Sequence, residues 1–157
     1  MQERFQYSKA YPEAYKAMLA LSQAVEKTGL TPQLINLVNY RVSQLNSCAF
    51  CLDMHSKDLR ARGETEQRLY MISAWREAPH LYSDCERAAL AWAEAVTRLE
   101  DGQVSDEVYE IARQEFSQAE LVQLTLAIVV INGWNRFNVA FRTPAGNYKS
   151  AIARKAG

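Results

Sequence analysis

Helix-capping signals recur along the whole chain, and they constrain its fold more than any other feature. Ser83-x-x-Glu86 and Ser117-x-x-Glu120 are capping boxes. In each, a hydroxyl takes the N–H three residues on and the carboxylate returns to the cap's own N–H. Pro12 suits a first helical position, and Gly29 closes that helix. Thr31 before Pro32 opens a second helix running to about Leu45. Asn46-Ser47 is a short break, with Ser47 placed to cap a third helix that ends near Gly63. Thr65 starts a fourth, which stops before Pro79, and Ser105 opens a shorter one after the turn at Asp101-Gly102. No alternating strand pattern competes. The β-branched run Ile128–Ile131 lies inside a capped, leucine-rich segment reaching about Arg142, so helix wins there on length, with Asn132-Gly133 placed to kink it. The expectation is an all-α bundle of about seven helices, forming a single domain over residues 1–157.

A chain of 157 residues buries a core without disulfide staples. Its 18 basic and 18 acidic side chains leave no net charge, so there is no electrostatic case for nucleic acid or an anionic membrane. Neutrality also removes one barrier to self-association. The longest apolar run, Leu121–Ile131, is too short to span a bilayer, and the N-terminus lacks the apolar stretch of a secretory signal. The expected location is the cytoplasm. There a persistent structural disulfide is uncommon, and a Cys-x-x-Cys pair is more often redox-active or metal-binding.

Such a pair is present. Cys48 and Cys51 lie in NSCAFCLDMHS, with His55 four residues further on. On a helix turning about 100° per residue, all three project within an arc of about 60°. Leu52 and Leu59 extend the same stripe, so the thiols and the imidazole are expected to face inward. A helix N-terminus favours the thiolate, and His55 stands one turn from Cys51, close enough to take its proton. Apolar burial pushes the other way and raises a thiol's pKa. A structural zinc site wants four ligands, and the sequence supplies at most Cys48, Cys51 and His55 together; Cys85 and His80 stand apart. The redox dithiol therefore leads, ahead of ordinary core packing and of a metal site.

Four other features stand out in the sequence. Arg41 sits on the apolar side of its helix, where it either snorkels to solvent or needs a carboxylate partner. Trp75, Trp92 and Trp134 read as core or interface residues. Asn132 and Asn135 either line a pocket or are satisfied core amides. Cys85, inside a capping box and away from basic residues, reads as structural.

The segments RVSQLNSCAFCLDMHSKDLRARGETEQRLYMISAWREAP, ERAALAWAEAVTRL and INGWNRFNVAFRTPAG resemble the carboxymuconolactone decarboxylase-like superfamily, in its alkyl hydroperoxidase D-like (AhpD-like) branch. The resemblance implies an all-helical fold and a thiol peroxidase activity with no metal and no bound organic cofactor. It assigns attack on peroxide to Cys51, resolution to a disulfide to Cys48, and a place in a proton relay to His55. It also implies an external dithiol or disulfide reductase as partner, and assembly as a homo-trimer or hexamer. One position departs from the pattern. The relay glutamate, twelve residues before the first cysteine, is replaced by Asn36. An amide does not accept and return a proton as a carboxylate does, although it can hold a water or orient the imidazole. Asn36 shares a helix side with Asn39, Tyr40 and Ser43, so a solvated or subunit-facing polar side is the alternative. The departure keeps a second function open: a non-catalytic redox sensor or disulfide-exchange protein with weak peroxidase activity. The lyase chemistry in the superfamily name has no evident need for Cys-x-x-Cys and ranks last.

Overall fold

Eight α-helices and no strand make up residues 2–152, which are the residues described in the computed structural model. Met1 and residues 153–157 of the expected domain lie outside the described residues. In chain order the helices are α1 (Tyr7–Ala10), α2 (Pro12–Glu26), α3 (Pro32–Leu45), α4 (Ala49–Ala61), α5 (Glu66–Met71), α6 (Asp84–Arg98), α7 (Asp106–Glu115) and α8 (Gln118–Phe141). Short 3₁₀ turns follow α5, precede α6 and separate α6 from α7.

The capping chemistry is where the sequence places it. Thr31, Thr65 and Ser105 each accept the N–H three residues on, and Ser83 and Ser117 form complete capping boxes. Four details differ. The helix opened by Pro12 ends at Glu26, three residues before Gly29, with Lys27 as its C-cap. There are eight α-helices rather than seven, because α1 is a single turn with no side-chain cap and no buried residue, too short to show a period. Ser47 does not cap α4. The chain reverses between α3 and α4 within a few residues, Ser47 takes the left-handed conformation (φ 53°), and Cys48 becomes the cap. Finally, α8 runs unbroken from Gln118 to Phe141. Gly133 serves close packing there, since a Cβ at that position would lie 2.8 Å from Met18 Cε of α2.

The core forms where α3, α6 and α8 meet. Val38 and Val42 of α3 pack with Ala88, Ala89 and Ala93 of α6 and with Leu124, Ile128 and Ile131 of α8. The alanine row on α6 lets the helices approach closely. Each fully buried Leu, Ile or Val contributes about 1.5–3 kcal/mol relative to exposure. Cys48 and Cys51 belong to the same cluster, so the candidate site is built into the core. No single helix among the described residues is long and apolar enough to cross a membrane.

Arg41 does not snorkel. Its Nε donates to Glu94 Oε1 at 2.7 Å, and Glu94 is only 2% exposed. Trp75 Nε1 donates to the same oxygen at 3.0 Å, and Arg76 donates to the other. Burial opposes ionisation of Glu94, but hydrogen bonds from Arg76, Trp75 and Arg41 outweigh it and hold the carboxyl below its ordinary value of 4.5. A depressed carboxyl contributes stability that is present above that ordinary value and is lost as pH falls through the folded one. Glu94→Gln is therefore expected to lower stability by about 2 kcal/mol at neutral pH, a Tm loss of roughly 4–8 °C. Thermal melts of both proteins across pH should show that gap closing in acid, below the range in which the wild-type carboxylate is ionised.

Candidate active site

The turn between α3 and α4 presents the two cysteines. Cys48, in extended conformation, caps α4 with its sulfur, which accepts the N–H of Cys51 at 3.4 Å. Cys48 and Cys51 form a disulfide, with Cα atoms 5.4 Å apart. They are 1% and 0% exposed. Asn46 ties this turn to α8, donating to Asn132 Oδ1 and Asn135 Oδ1 at 2.9 Å each, while Asn135 Nδ2 donates to Ser43 Oγ at 3.1 Å. Asn135 is thus a satisfied core amide and Asn132 a partly buried, hydrogen-bonded one, and both brace the cysteine turn.

His55 projects from the next turn of α4 and is 6% exposed. Its Nδ1 lies 3.1 Å from Asn36 Oδ1 of α3. The amide orientation follows from its other end, because Asn36 Nδ2 donates to Pro32 O at 2.8 Å. Oδ1 therefore faces the ring, Nδ1 carries the proton, and Nε2 holds the lone pair. Nε2 is buried with no hydrogen-bond partner. Burial pushes the His55 pKa down to about 4, against a raising effect of Asp58, so the imidazole is neutral at pH 7. The polar side of α3 is accordingly not simply solvated: Asn36 orients His55.

Two cavities adjoin these groups. One, of about 420 Å³, is lined by His55, Asn36, Asn39, Asp58 and Arg62 among others. Asn39 Oδ1 is, like His55 Nε2, buried and unpartnered. The other, of about 470 Å³, is lined by Cys51 with Tyr7, Tyr15, Phe50, Asn138 and Thr143. Ser22, Met54 and Trp134 line both. Cys51 borders the second of these two cavities, and Cys48 borders neither. The indoles of Trp75, Trp92 and Trp134 are all hydrogen-bonded, to Glu94, Thr125 and Ser22.

The remaining candidates lie elsewhere. Cys85 is half-buried in the first turn of α6, and burial together with Glu115, Glu86 and Glu120 pushes its thiol up. His80 is exposed in the 3₁₀ turn Pro79–Leu81. Among the described residues no three His, Cys, Asp or Glu side chains converge as metal ligands. Sequence reasoning missed Asn138, whose Nδ2 lies 3.5 Å from Cys51 Sγ, and Tyr7, whose hydroxyl donates to Asn138 Oδ1 at 3.3 Å. A signal for Asn138 existed: it follows Asn135 by three residues on a mostly apolar helix. Tyr7 left none.

Comparison with known proteins agrees with this architecture. The model of the carboxymuconolactone decarboxylase family matches residues 12–95. The uncharacterized protein YdfG of Bacillus subtilis is 38% identical over 147 residues, covering 94% of this chain and 99% of its own. A solved protein of unknown function from Agrobacterium tumefaciens, provisionally described as the antioxidant defence protein AhpD, is 43% identical with a TM-score of 0.89, covering 94% of this chain and 100% of its own. An uncharacterized peroxidase-related protein from Silicibacter shares the fold at 20% identity and a TM-score of 0.76, over 87% of this chain and 72% of its own. With sequence and architecture in agreement along nearly its whole length, this chain belongs to the carboxymuconolactone decarboxylase family and has the all-helical AhpD-like fold.

Proposed function

We propose that the chain is a thiol-dependent hydroperoxidase that cycles through the Cys48–Cys51 disulfide. The observation that carries this reading is the placement of that disulfide, with Cys51 on a cavity and a neutral imidazole one turn away. In the reduced enzyme Cys51 loses its proton, with His55 Nε2 as the acceptor in the relay. The thiolate attacks the O–O bond of a hydroperoxide; Cys51 becomes a sulfenic acid and the leaving alkoxide takes a proton as the alcohol. The Cys48 thiol condenses with the sulfenic acid, forming the disulfide and releasing water. An external dithiol then attacks Cys51 Sγ, expels the Cys48 thiolate, and leaves as its own disulfide once the second thiol has reacted. Cys48 suits the leaving role, because its sulfur already accepts an N–H at the start of α4. No metal or organic cofactor enters the cycle. The reading includes a cytoplasmic location, a dithiol or disulfide reductase as electron donor, and a homo-trimer or hexamer. Exposed Val122, Val129 and Val139 on α8 supply apolar surface for such assembly.

The test is stoichiometric. Reduced protein given one equivalent of an alkyl hydroperoxide should lose two thiols, both in the peptide holding residues 48 and 51, and should turn over repeatedly when a dithiol is present. Thiols that survive the peroxide would sink the proposal. Asn36 in place of a relay carboxylate favours a second reading, a dithiol sensor or disulfide-exchange protein. That reading expects the same single oxidation but only weak turnover with peroxide and a dithiol, beside rapid thiol–disulfide exchange with a protein partner.

A further inference from the structure

The Cys51 sulfur is fully buried in largely apolar surroundings, which by itself disfavours the thiolate. Its own backbone N–H is committed to Cys48 Sγ, and His55 Nε2 makes no hydrogen bond to it or to any other group among the described residues. The side-chain donor set against the Cys51 sulfur is Asn138 Nδ2, at 3.5 Å, on a residue 6% exposed. The other end of that amide is also held: the Tyr7 hydroxyl donates to Asn138 Oδ1, which keeps Nδ2 turned toward sulfur. Resting on the reading of Cys51 as the attacking thiol, we infer that Asn138 is a catalytic residue that stabilises the Cys51 thiolate by hydrogen bonding, and that Tyr7 is the positioning residue that aims it.

The first turn of the chain makes sense in this light. α1 has no side-chain cap and buries no residue, so nothing local sustains it. It is held against the end of α8 instead. Arg4 N donates to Phe141 O at 3.1 Å, and the Tyr7 ring contacts those of Phe137 and Phe141 at 5.1 and 5.5 Å. Burial, with a further contribution from Tyr15, pushes the Tyr7 phenol up, so it stays a proton donor where a thiol titrates. The titratable groups sharing this cavity with Cys51 are Glu3, Tyr7 and Tyr15, while Cys48 and His55 lie on or at the start of its own helix. α8 contributes only the uncharged Trp134 and Asn138 to the cavity wall. A neutral disulfide sulfur gains little from an amide N–H, whereas a thiolate gains a charge-assisted bond, so the interaction selects the reactive form.

The experiment uses the reduced full chain carrying Cys48→Ser, and follows the alkylation rate of Cys51 by iodoacetamide across pH. Peptide mass spectrometry separates it from Cys85. Asn138→Ala should raise the apparent pKa of Cys51 by about one unit, Asn138→Asp by more, and Tyr7→Phe by about half a unit with ring packing preserved. Unchanged or lowered values in Tyr7→Phe and in whichever Asn138 variant folds would overturn the inference. A merely structural role would lower Tm and leave the alkylation pKa where it was, which also counts against it. Because the probe is an alkylating agent, absent peroxide turnover with these shifts intact removes the hydroperoxidase reading alone and supports the donor relay.

Discussion

Cys51→Ser is expected to abolish hydroperoxide turnover, a loss on the order of 10³-fold or more, while Cys48→Ser keeps the first reaction and loses the cycle. Two physical arguments compete over which sulfur attacks. Acidity favours Cys48, whose sulfur caps α4 and already accepts a backbone N–H. Both cysteines are buried, at 1% and 0% exposed, but Cys51 lies in the wall of the 470 Å³ cavity while Cys48 borders neither of the two described, so approach from that cavity favours Cys51. Access decides, because a thiolate that does not meet the peroxide has no rate, and Asn138 offers Cys51 a donor of its own. With Cys48→Ser, one equivalent of hydroperoxide should be consumed per chain. Cys51 should then persist as a sulfenic acid, which a carbon-acid probe traps on the peptide holding residue 51. The reversed pattern, with trapping at Cys48 in a Cys51→Ser protein, would transfer the attacking role to the helix cap.

What the sequence showed and what it hid divide by range. Caps at Thr31, Thr65, Ser83, Ser105 and Ser117 were legible because each is satisfied within three residues. The burial of Cys51 and His55 was legible because both lie one turn apart on α4, whereas Cys48 is buried from an extended cap position that a helical wheel does not describe, and Cys51 and His55 line separate cavities. Partners from distant segments were not. Arg41 announced a need for a carboxylate, yet Glu94 stands 53 residues away and nothing local selects it. Tyr7 and Asn138 are 131 residues apart, and the Tyr7 contacts with α8 come from a segment that nothing near it in sequence announces. The mistaken cap at Ser47 has a different cause. Serine is the better capping residue, but the reversal between α3 and α4 needs a left-handed residue, and the position of Ser47 supplies it.

Asn36→Glu tests how far the relay has been altered, and the expected result is a rise in peroxidase turnover on the order of 10²-fold. In the native site Asn36 orients His55 through Nδ1 but adds no charge, and burial leaves the imidazole with a pKa of about 4. A ring so depressed is neutral and ready at pH 7, but it is a weak base toward a buried thiol. A carboxylate beside Nδ1–H would stabilise the imidazolium, raise the His55 pKa by about 1–3 units, and provide a site that accepts and returns the proton. The substitution has a structural penalty, since the bond from Asn36 Nδ2 to Pro32 O is lost, at about 1 kcal/mol of stability. Turnover with a dithiol reductant measures the rate, and titration of the His55 ring resonances by NMR measures the basicity. A raised His55 pKa without a faster cycle would mean that proton transfer does not limit turnover, and the sensor or exchange reading would gain. If neither quantity moves, the contact between Asn36 and His55 is not coupled to the chemistry, and the relay must be sought among the other groups facing Cys51.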